Sequence, residues 1–391
     1  MLDLTGDDDD PREVPSVFDV SPRVDNQLLG ELAAMREGRE QARGGRGGRG
    51  GGSGGGGGSE AASVPPMPRN GGRLQQLFVV PPFSVLDAKQ GYWQERKRQW
   101  HALGIDSGAG RDANLLGMAR LQPGGSGTSL FDPVLAEVAL RWWAPMPEKH
   151  PSRPTIVLDP FAGGSVRGIV AAKLGYLYVG IDLSQRQIDA NNAQRHVTAD
   201  CRHQPVWVQG DGEQVRSLFA RVLQQHQLRR DTPADFVLTC PPYLDLEVYS
   251  HDDNDLSNMS PPAFEAKYRR ILAETIALLR PRHFACIVTG SVRARGGSGE
   301  LIDLERKTLD ACEAAGGKHF NKAVLTTALG SAPMRASRQM GARSALVSVH
   351  QPIVVVAKDA IPTSEQVRAA GIRAARPQEG EGVGDFLDGT G

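Results

Sequence analysis

The stretch from Thr155 to Asp182 restricts the folds open to this chain more than any other. Thr155-Ile156-Val157-Leu158 is an apolar run of strand length that passes directly into Asp159-Pro160-Phe161-Ala162-Gly163-Gly164-Ser165. A helical pattern over 166–174 follows, then Tyr178-Val179-Gly180-Ile181 and Asp182. Strand, glycine-rich turn, helix, strand and acid make a βαβ unit, with the acid at the carboxyl end of the second strand, where a carboxylate can hold ribose hydroxyls. Glycine at the turn lets backbone approach a ligand with no Cβ in the way. There is no P-loop run of amides ending in lysine. Asp159 would repel a pyrophosphate but suits a cationic or zwitterionic ligand. S-adenosylmethionine, with an ammonium, a sulfonium, a ribose and no phosphate, meets that description.

Further elements extend the unit. Val206-Trp207-Val208-Gln209-Gly210 reads as a third strand, with Asp211 at its end placed to accept from an adenine amine. A helix over 215–227 leads to the fourth strand, 235–239, which runs into Cys240-Pro241-Pro242-Tyr243. Two consecutive prolines fix φ and remove two donors, so the chain leaves the sheet in a stiff extended turn with free carbonyls. That turn, the short Cys240 side chain and the flat ring of Tyr243 together suit a planar group bearing an exocyclic amine, as a nucleobase does. A helix over 262–279 sets Phe264, Tyr268, Ile271, Leu272, Thr275 and Leu279 on one side. Strands at 284–289 and 322–327 flank a helix at 304–315, and 345–357 reads as a seventh, antiparallel strand. The expected fold is α/β: a Rossmann-like, doubly wound, seven-stranded sheet with its ligand site at the carboxyl ends.

The amino-terminal part reads differently. From Gly38 to Ser59 the sequence is almost entirely Gly, Arg and Ser, which cannot bury enough surface to offset its ordering entropy. Residues 1–72 are expected as a disordered acidic and Gly-Arg-rich tail, acting as a tether or, through Arg43 to Arg49, as a loose nucleic-acid contact. Residues 73–122 are expected as a small module with a strand at Phe78-Val79-Val80, a break at Pro81-Pro82 and a helix from Val85 to Leu103. There Arg96, Lys97 and Arg98 lie between Trp93 and Trp100. Such a mixture can follow a phosphate backbone, and two tryptophans seven residues apart can equally face a core. Residues 123–360 are expected as the main domain, entered through a flexible loop at 124–128 and a helix capped by Asp132 with Pro133 at its first position. Residues 361–391 are expected as a flexible tail. Arg335, Arg338 and Arg343, in a polar loop between the last two strands, and Arg293 with Arg295, in another loop, are candidates to face phosphates or are solvated loop charge.

Composition bounds the partners. With 45 basic and 45 acidic residues the formal charge is zero, so any basic surface is local. Cys201, Cys240, Cys286 and Cys312 include no C-x-x-C pair and no finger-spaced histidine, so reduced thiols are expected and no metal site. Asp7 to Asp10 stand where a signal peptide needs basic and then apolar residues, and no apolar run spans a bilayer. A soluble cytoplasmic protein without a membrane partner is expected; its oligomeric state is not legible.

Phe131-Asp132-Pro133, Asp159 to Gly164, Gly180-Ile181-Asp182 and Cys240 to Tyr243 together resemble the sequence blocks of amino-group DNA methyltransferases, which modify adenine N6 or cytosine N4. The resemblance covers about Ser126 to Lys358, making 123–360 the catalytic domain. The 78–100 segment and Asp245-Leu246-Glu247-Val248-Tyr249-Ser250 are similar to methylases encoded by phages of actinobacteria, which implies a bacterial host cell. The resemblance implies S-adenosylmethionine as cofactor, DNA as partner, and cofactor contacts from Phe131, Asp159, Phe161, Ala162, Gly163, Gly164, Asp182 and Asp211. It also implies a catalytic role for Cys240, Pro241, Pro242 and Tyr243: the flipped base stacks on Tyr243, and the Pro241 carbonyl with the residue 240 side chain accepts its N–H bonds. Family members carry Asp, Asn or Ser at position 240, and a thiol accepts more weakly. Serine is nearest in size, and its form of the block goes with cytosine N4, so that target is expected over adenine N6. The alternatives are Cys240 as a nucleophile, as in cytosine C5 enzymes, protein glutamine methylation, and a catalytically silent DNA-binding protein.

Overall fold

Eight strands make the main sheet of the computed structural model, which describes residues 64–65, 73–110, 130–147, 153–243, 253–293, 299–327 and 332–372. All of these belong to the compact unit Glu60–Gly391. The expected tail over most of 1–72, the loop at 124–128, Arg295, the 245–250 segment and the chain beyond 372 lie outside the described residues. In chain order the first elements are α1 (Arg73–Phe78), β1 (Val85–Asp87), α2 (Gly91–His101), α3 (Pro133–Trp143), β2 (Ile156–Asp159), α4 (Val166–Lys173), β3 (Leu177–Asp182) and α5 (Gln185–Ala193). Next come β4 (Val206–Gln209), α6 (Val215–Gln225), β5 (Phe236–Thr239), α7 (Pro261–Leu278), β6 (Phe284–Val288), β7 (Ser291–Arg293) and β8 (Leu301–Asp303). The last are α8 (Leu304–Ala314), β9 (Gly317–Thr326), α9 (Ala332–Arg343), β10 (His350–Lys358) and α10 (Ser364–Ala369).

The strand order is β1-β9-β10-β6-β5-β2-β3-β4, and β7 pairs with β8 in a separate hairpin. β10 runs antiparallel to both its neighbours, while the other pairs of the main sheet are parallel. This is a Rossmann-like, doubly wound sheet. The order reverses between β2 and β5, which opens a crevice at their carboxyl ends. Alternate residues of one strand face opposite layers, so Val157 joins the core beneath α3 and α4 while Ile156 and Leu158 join the core beneath α6 and α7. The start of β5 is held to β2 by buried Asp235, which accepts both arms of Arg153 at 2.6 and 2.7 Å, Arg280 at 2.9 Å and the Ile156 N–H at 2.9 Å. Burial pushes that carboxyl up, but these partners together hold it below its ordinary range.

The sheet has eight strands because Val85–Asp87 joins its edge, Val85 opposite Val324 and Asp87 opposite Thr326. The expected helix from Val85 begins only at Gly91, since the Asp87 carboxylate takes the Lys89 N–H at 3.0 Å and the Gln90 amide at 3.0 Å in a side-chain turn. The expected strand at 78–80 is the end of α1 followed by Val79 at φ 73°. On α2, Trp93, Arg96 and Trp100 form one buried stripe.

That stripe corrects the assignment of Arg96 to a DNA surface. Arg96 is 1% exposed, and its Nε and Nη2 donate to Glu137 of α3 at 2.8 and 2.6 Å. Trp100 Nε1 and Arg141 complete the carboxylate's shell at 2.7 and 2.8 Å. Burial works against the Glu137 charge; the Arg96 bonds and charge, with Arg141 and Trp100, outweigh it and keep the carboxyl below its ordinary range. A buried pair of this kind is costly to break whether or not it stabilises outright.

Two late segments also differ from expectation. The polar loop carrying Arg335, Arg338 and Arg343 is the helix α9, and the last strand begins at His350, not Ala345. Residues 364–369 form α10, held by a capping box in which Thr363 and Gln366 exchange hydrogen bonds. All four cysteines are free, Cys286 and Cys312 buried and Cys201 and Cys240 half-buried. Among the described residues no helix is long and apolar enough to cross a membrane, and no cluster of metal-ligating side chains is found.

Candidate active site

The carboxyl ends of β2 to β5 open into one cavity, lined by Phe131, Phe161, Gly163, Gly164, Asp182 and Asp211 together with Cys240, Pro241 and Pro242. Residues far apart in sequence thus meet at the crevice where the strand order reverses. Asp159, Ala162 and Tyr243 are not on its lining.

The turn after β2 is held from three sides. Its Ala162 N–H donates to the Ile181 carbonyl at 2.8 Å, the Gly163 N–H donates to Asp182 Oδ2 at 2.8 Å, and Asn191 Nδ2 of α5 donates to the Gly163 carbonyl at 2.7 Å. Gly163 sits at φ 49°, in the left-handed region that favours glycine. Gly180 is equally required: a Cβ there would lie 2.6 Å from the Tyr178 ring and 2.8 Å from the Ala162 side chain. Asp182 accepts a second backbone bond from Ser184 at 2.8 Å. Burial pushes its pKa up to about 6, with the Asp159 and Asp255 charges adding to burial and the two N–H bonds opposing it. Each oxygen keeps a lone pair for a ligand diol.

Asp159 is occupied within the protein. Its carboxylate accepts Arg167 Nε at 2.6 Å, the Tyr178 hydroxyl at 2.7 Å and the Thr239 hydroxyl at 2.6 Å. It therefore ties β2 to β3 and β5, and it touches the cavity wall through Arg167 and through the Phe161 N–H, which it accepts at 3.1 Å. That guanidinium also donates to the Phe161 and Ala162 carbonyls at 2.6 and 2.8 Å and lies 4.5 Å over the Phe131 ring. Burial works against the Arg167 cation, and the attraction of Asp159, Tyr178 and Cys240 outweighs it, so the cation is held beside the cavity. Sequence reading missed Arg167 because it looks like an ordinary exposed position of α4.

Two further wall residues were also missed. Lys267 of α7 donates to Asp211 Oδ2 at 2.6 Å and to the Asn254 carbonyl at 2.9 Å, with its side chain 4% exposed. Its place on the same stripe as Phe264 and Ile271 is the signal that could have found it. Ser107 lines the cavity from the segment after α2, and its buried hydroxyl has no hydrogen-bond partner among the described residues. That segment is fastened to α5 and the residue after it: the Asp106 N–H donates to Gln194 Oε1 at 2.9 Å and Gln187 Nε2 donates to the Ala109 carbonyl at 3.0 Å.

At the other end stands the proline turn. Tyr243 is 7% exposed; its hydroxyl lies 3.4 Å from Cys240 Sγ and accepts Gln351 Nε2 at 3.2 Å. A Cβ on Gly290 would meet the Tyr243 ring at 3.3 Å. The ring is packed rather than offered as a stacking face. Of the remaining candidates, Lys97 pairs with Asp132 at 3.0 Å and Arg98 with Glu95 at 2.5 Å, and neither cation is on the cavity lining. Arg293, Arg335 and Arg338 are exposed.

The residues present fit S-adenosylmethionine: a carboxylate for a ribose diol at Asp182, a held carboxylate at Asp211, a hydroxyl at Ser107 without a partner among the described residues, and glycine backbone at 163–164.

No protein-family model and no curated protein matches the sequence. Among solved structures, TrmN from Thermus thermophilus is 17% identical, with 62% of this chain and 52% of that chain matched at TM-score 0.36. A candidate DNA modification methylase, also from Thermus thermophilus, is 20% identical over 41% of this chain and 56% of that one, at TM-score 0.26. Magnesium protoporphyrin IX methyltransferase from Synechocystis, with bound S-adenosylmethionine, is 12% identical over 66% of this chain and 89% of that one, at TM-score 0.36. The chain thus spans about half the length of the first two.

Proposed function

We propose that this chain is an S-adenosylmethionine-dependent methyltransferase acting on the exocyclic amine of a flipped DNA base, cytosine N4 in preference to adenine N6. The observation that carries the reading is the meeting, in one cavity, of the Gly163–Asp182 turn with the Cys240-Pro241-Pro242 turn. Asp182 would hold the ribose hydroxyls, Asp211 with Lys267 the adenine edge, and Phe131, Ser107 and the 163–164 backbone the amino-acid end. Bound there, S-adenosylmethionine supplies a methyl group on a sulfonium sulfur, electrophilic toward an amine.

The chain's own part is positioning. Proline at 241 and 242 leaves the turn carbonyls without competing local donors, so the Pro241 carbonyl and Cys240 Sγ can each accept one N–H of the incoming amine. An amine held by both hydrogens turns its nitrogen lone pair toward the cavity, which supplies orientation rather than covalent help. Tyr243 would have to leave its place against Gly290 and Gln351 to stack on the base.

The test is nucleoside mass spectrometry on DNA from cells expressing the chain, with transfer of labelled methyl to mixed DNA by the purified protein alongside. N4-methylcytosine is the expected product, and N6-methyladenine would move the target base. Methylation of neither, with labelled methyl absent from DNA at every cofactor concentration, would falsify the enzyme reading. A covalent adduct with fluorocytosine DNA would instead make Cys240 a nucleophile.

A further inference from the structure

We propose that α9, with the β7–β8 hairpin beside it, is the surface on which the backbone of duplex DNA lies. The choice of DNA among polyanions rests on the methyl-transfer reading; the surface itself rests on topology and charge.

The topology brings both ends of the α9 insertion to the edge of the sheet on which the cavity opens. β5 and β6 are parallel. β10 is antiparallel to β6 and to β9, so β9 ends at the same edge of the sheet as β5. The chain from Thr326 through α9 to His350 therefore begins and ends at the edge where Cys240 stands. The hairpin leaves the end of β6 at that edge too. Gln351, next to His350, donates to Tyr243, which joins this insertion to the proline turn. Arg293 donates to the Gly299 carbonyl at 3.0 Å, and Arg343 lies over Gly299, where an added Cβ would be 2.5 Å from its Nη1. Helix and hairpin are thereby drawn together.

The charge selects the occupant. Residues 327–349 contain Arg335, Arg338 and Arg343 and no acid. In α9 only Ala332 is buried, and neither Arg335 nor Arg338 forms an ion pair among the described residues. The hairpin carries two acids, Glu300 and Asp303, and Asp303 caps α8 by accepting the Arg306 N–H at 3.2 Å. Arg338 lies about 40° around the helix from Met334, which is 71% exposed, and Arg335 about 100°. Cations around an exposed apolar side chain suit a phosphate backbone with a groove beside it. A second copy of this chain would bring the same arginines face to face across a two-fold axis, which like charge opposes.

The experiment uses the full chain and a fluorescein-labelled DNA duplex of mixed sequence, with anisotropy read from about 50 to about 200 mM salt. For the double variant Arg335→Ala/Arg338→Ala the slope of log affinity against log salt should become shallower by about 2, and affinity at low salt should fall about tenfold or more. Arg335→Lys/Arg338→Lys should restore the slope, and affinity for S-adenosylhomocysteine should stay unchanged in both variants. An unchanged slope and affinity in the alanine variant would overturn the surface. Equal or tighter binding of an RNA duplex with the same dependence would overturn the choice of DNA, and a dimer that sediments as a monomer once both arginines are replaced would give the face to a second copy. Loss of duplex affinity in a chain that methylates nothing would leave this surface standing and remove the methyl-transfer reading, and methylation with an unchanged slope would do the reverse.

Discussion

Affinity for S-adenosylhomocysteine should fall as pH drops through about 6, because Asp182 must be ionised to accept two ribose hydroxyls. Burial raises this carboxyl from 3.8 to about 6 in the ligand-free protein. Two hydroxyl donors favour its charged form, so the bound state keeps the carboxylate to lower pH. Binding is then complete above about 6 and weakens below it. The apparent dissociation constant scales as one plus the ratio of protonated to ionised Asp182, which is about 1.1 at pH 7 and about 11 at pH 5. The expected loss is about tenfold, or ~1.4 kcal/mol. The ligand's own amino group, a free amino acid's amine beside an ionised carboxylate, stays protonated throughout this window. Calorimetric titration at several pH values on wild type and Asp182→Asn makes the check. The variant should bind more weakly at neutral pH and show no dependence between about pH 5 and about pH 7. A flat wild-type profile, or the same slope in the variant, refutes the assignment of the ribose to Asp182. The stability of the ligand-free protein carries the opposite sign. Between 3.8 and about 6 the folded state holds a proton the unfolded chain has released. Asp182 therefore favours folding most below 3.8, and that contribution, at most about 3 kcal/mol, is lost as pH rises through about 6.

Other expectations test other parts of the site. Lys267→Met leaves the Asp211 carboxylate without its 2.6 Å partner and should weaken S-adenosylhomocysteine binding by about 1–3 kcal/mol in the same titration; unchanged affinity would mean that Asp211 does not meet the ligand. Cys240→Ser, which restores a hydroxyl acceptor, should keep or raise the single-turnover rate of methyl transfer, whereas Cys240→Ala should lower it about tenfold with cofactor affinity intact, a cost of ~1.4 kcal/mol. A serine variant as slow as the alanine one would remove the acceptor role. Glu137→Gln strands the buried Arg96 cation and should destabilise the protein by about 3–5 kcal/mol in urea unfolding. A change of less than about 1 kcal/mol would show that water reaches Arg96.

Much of the architecture was legible because its signals are local. An apolar run, a turn that needs Gly163 in the left-handed region and an acid at the end of the next strand define a βαβ unit within some thirty residues, and repetition of strand and helix then implies the parallel sheet. The proline turn was legible for the same reason, since two adjacent prolines act on their own backbone. Val85–Asp87 was not, because three residues become a strand only when β9 offers them an edge. α9 was missed because its polar, glycine-containing sequence shows no buried stripe.

The sequence by itself determined which residues stand at the carboxyl ends of the strands, because strand direction and chain order put them there: Asp159, Asp182, Asp211 and Cys240. What each of them does was decided by tertiary structure. Asp159 is turned inward by Arg167, Tyr178 and Thr239, Asp211 is paired with Lys267, and Tyr243 is packed against Gly290. The physical reason is that a carboxylate or a ring is read from sequence as a free group, whereas folding assigns its hydrogen bonds to partners as far as 108 residues away. Among the described residues Asp182, alone of the three acids, has only backbone donors as partners, which leaves its remaining lone pairs to the cavity.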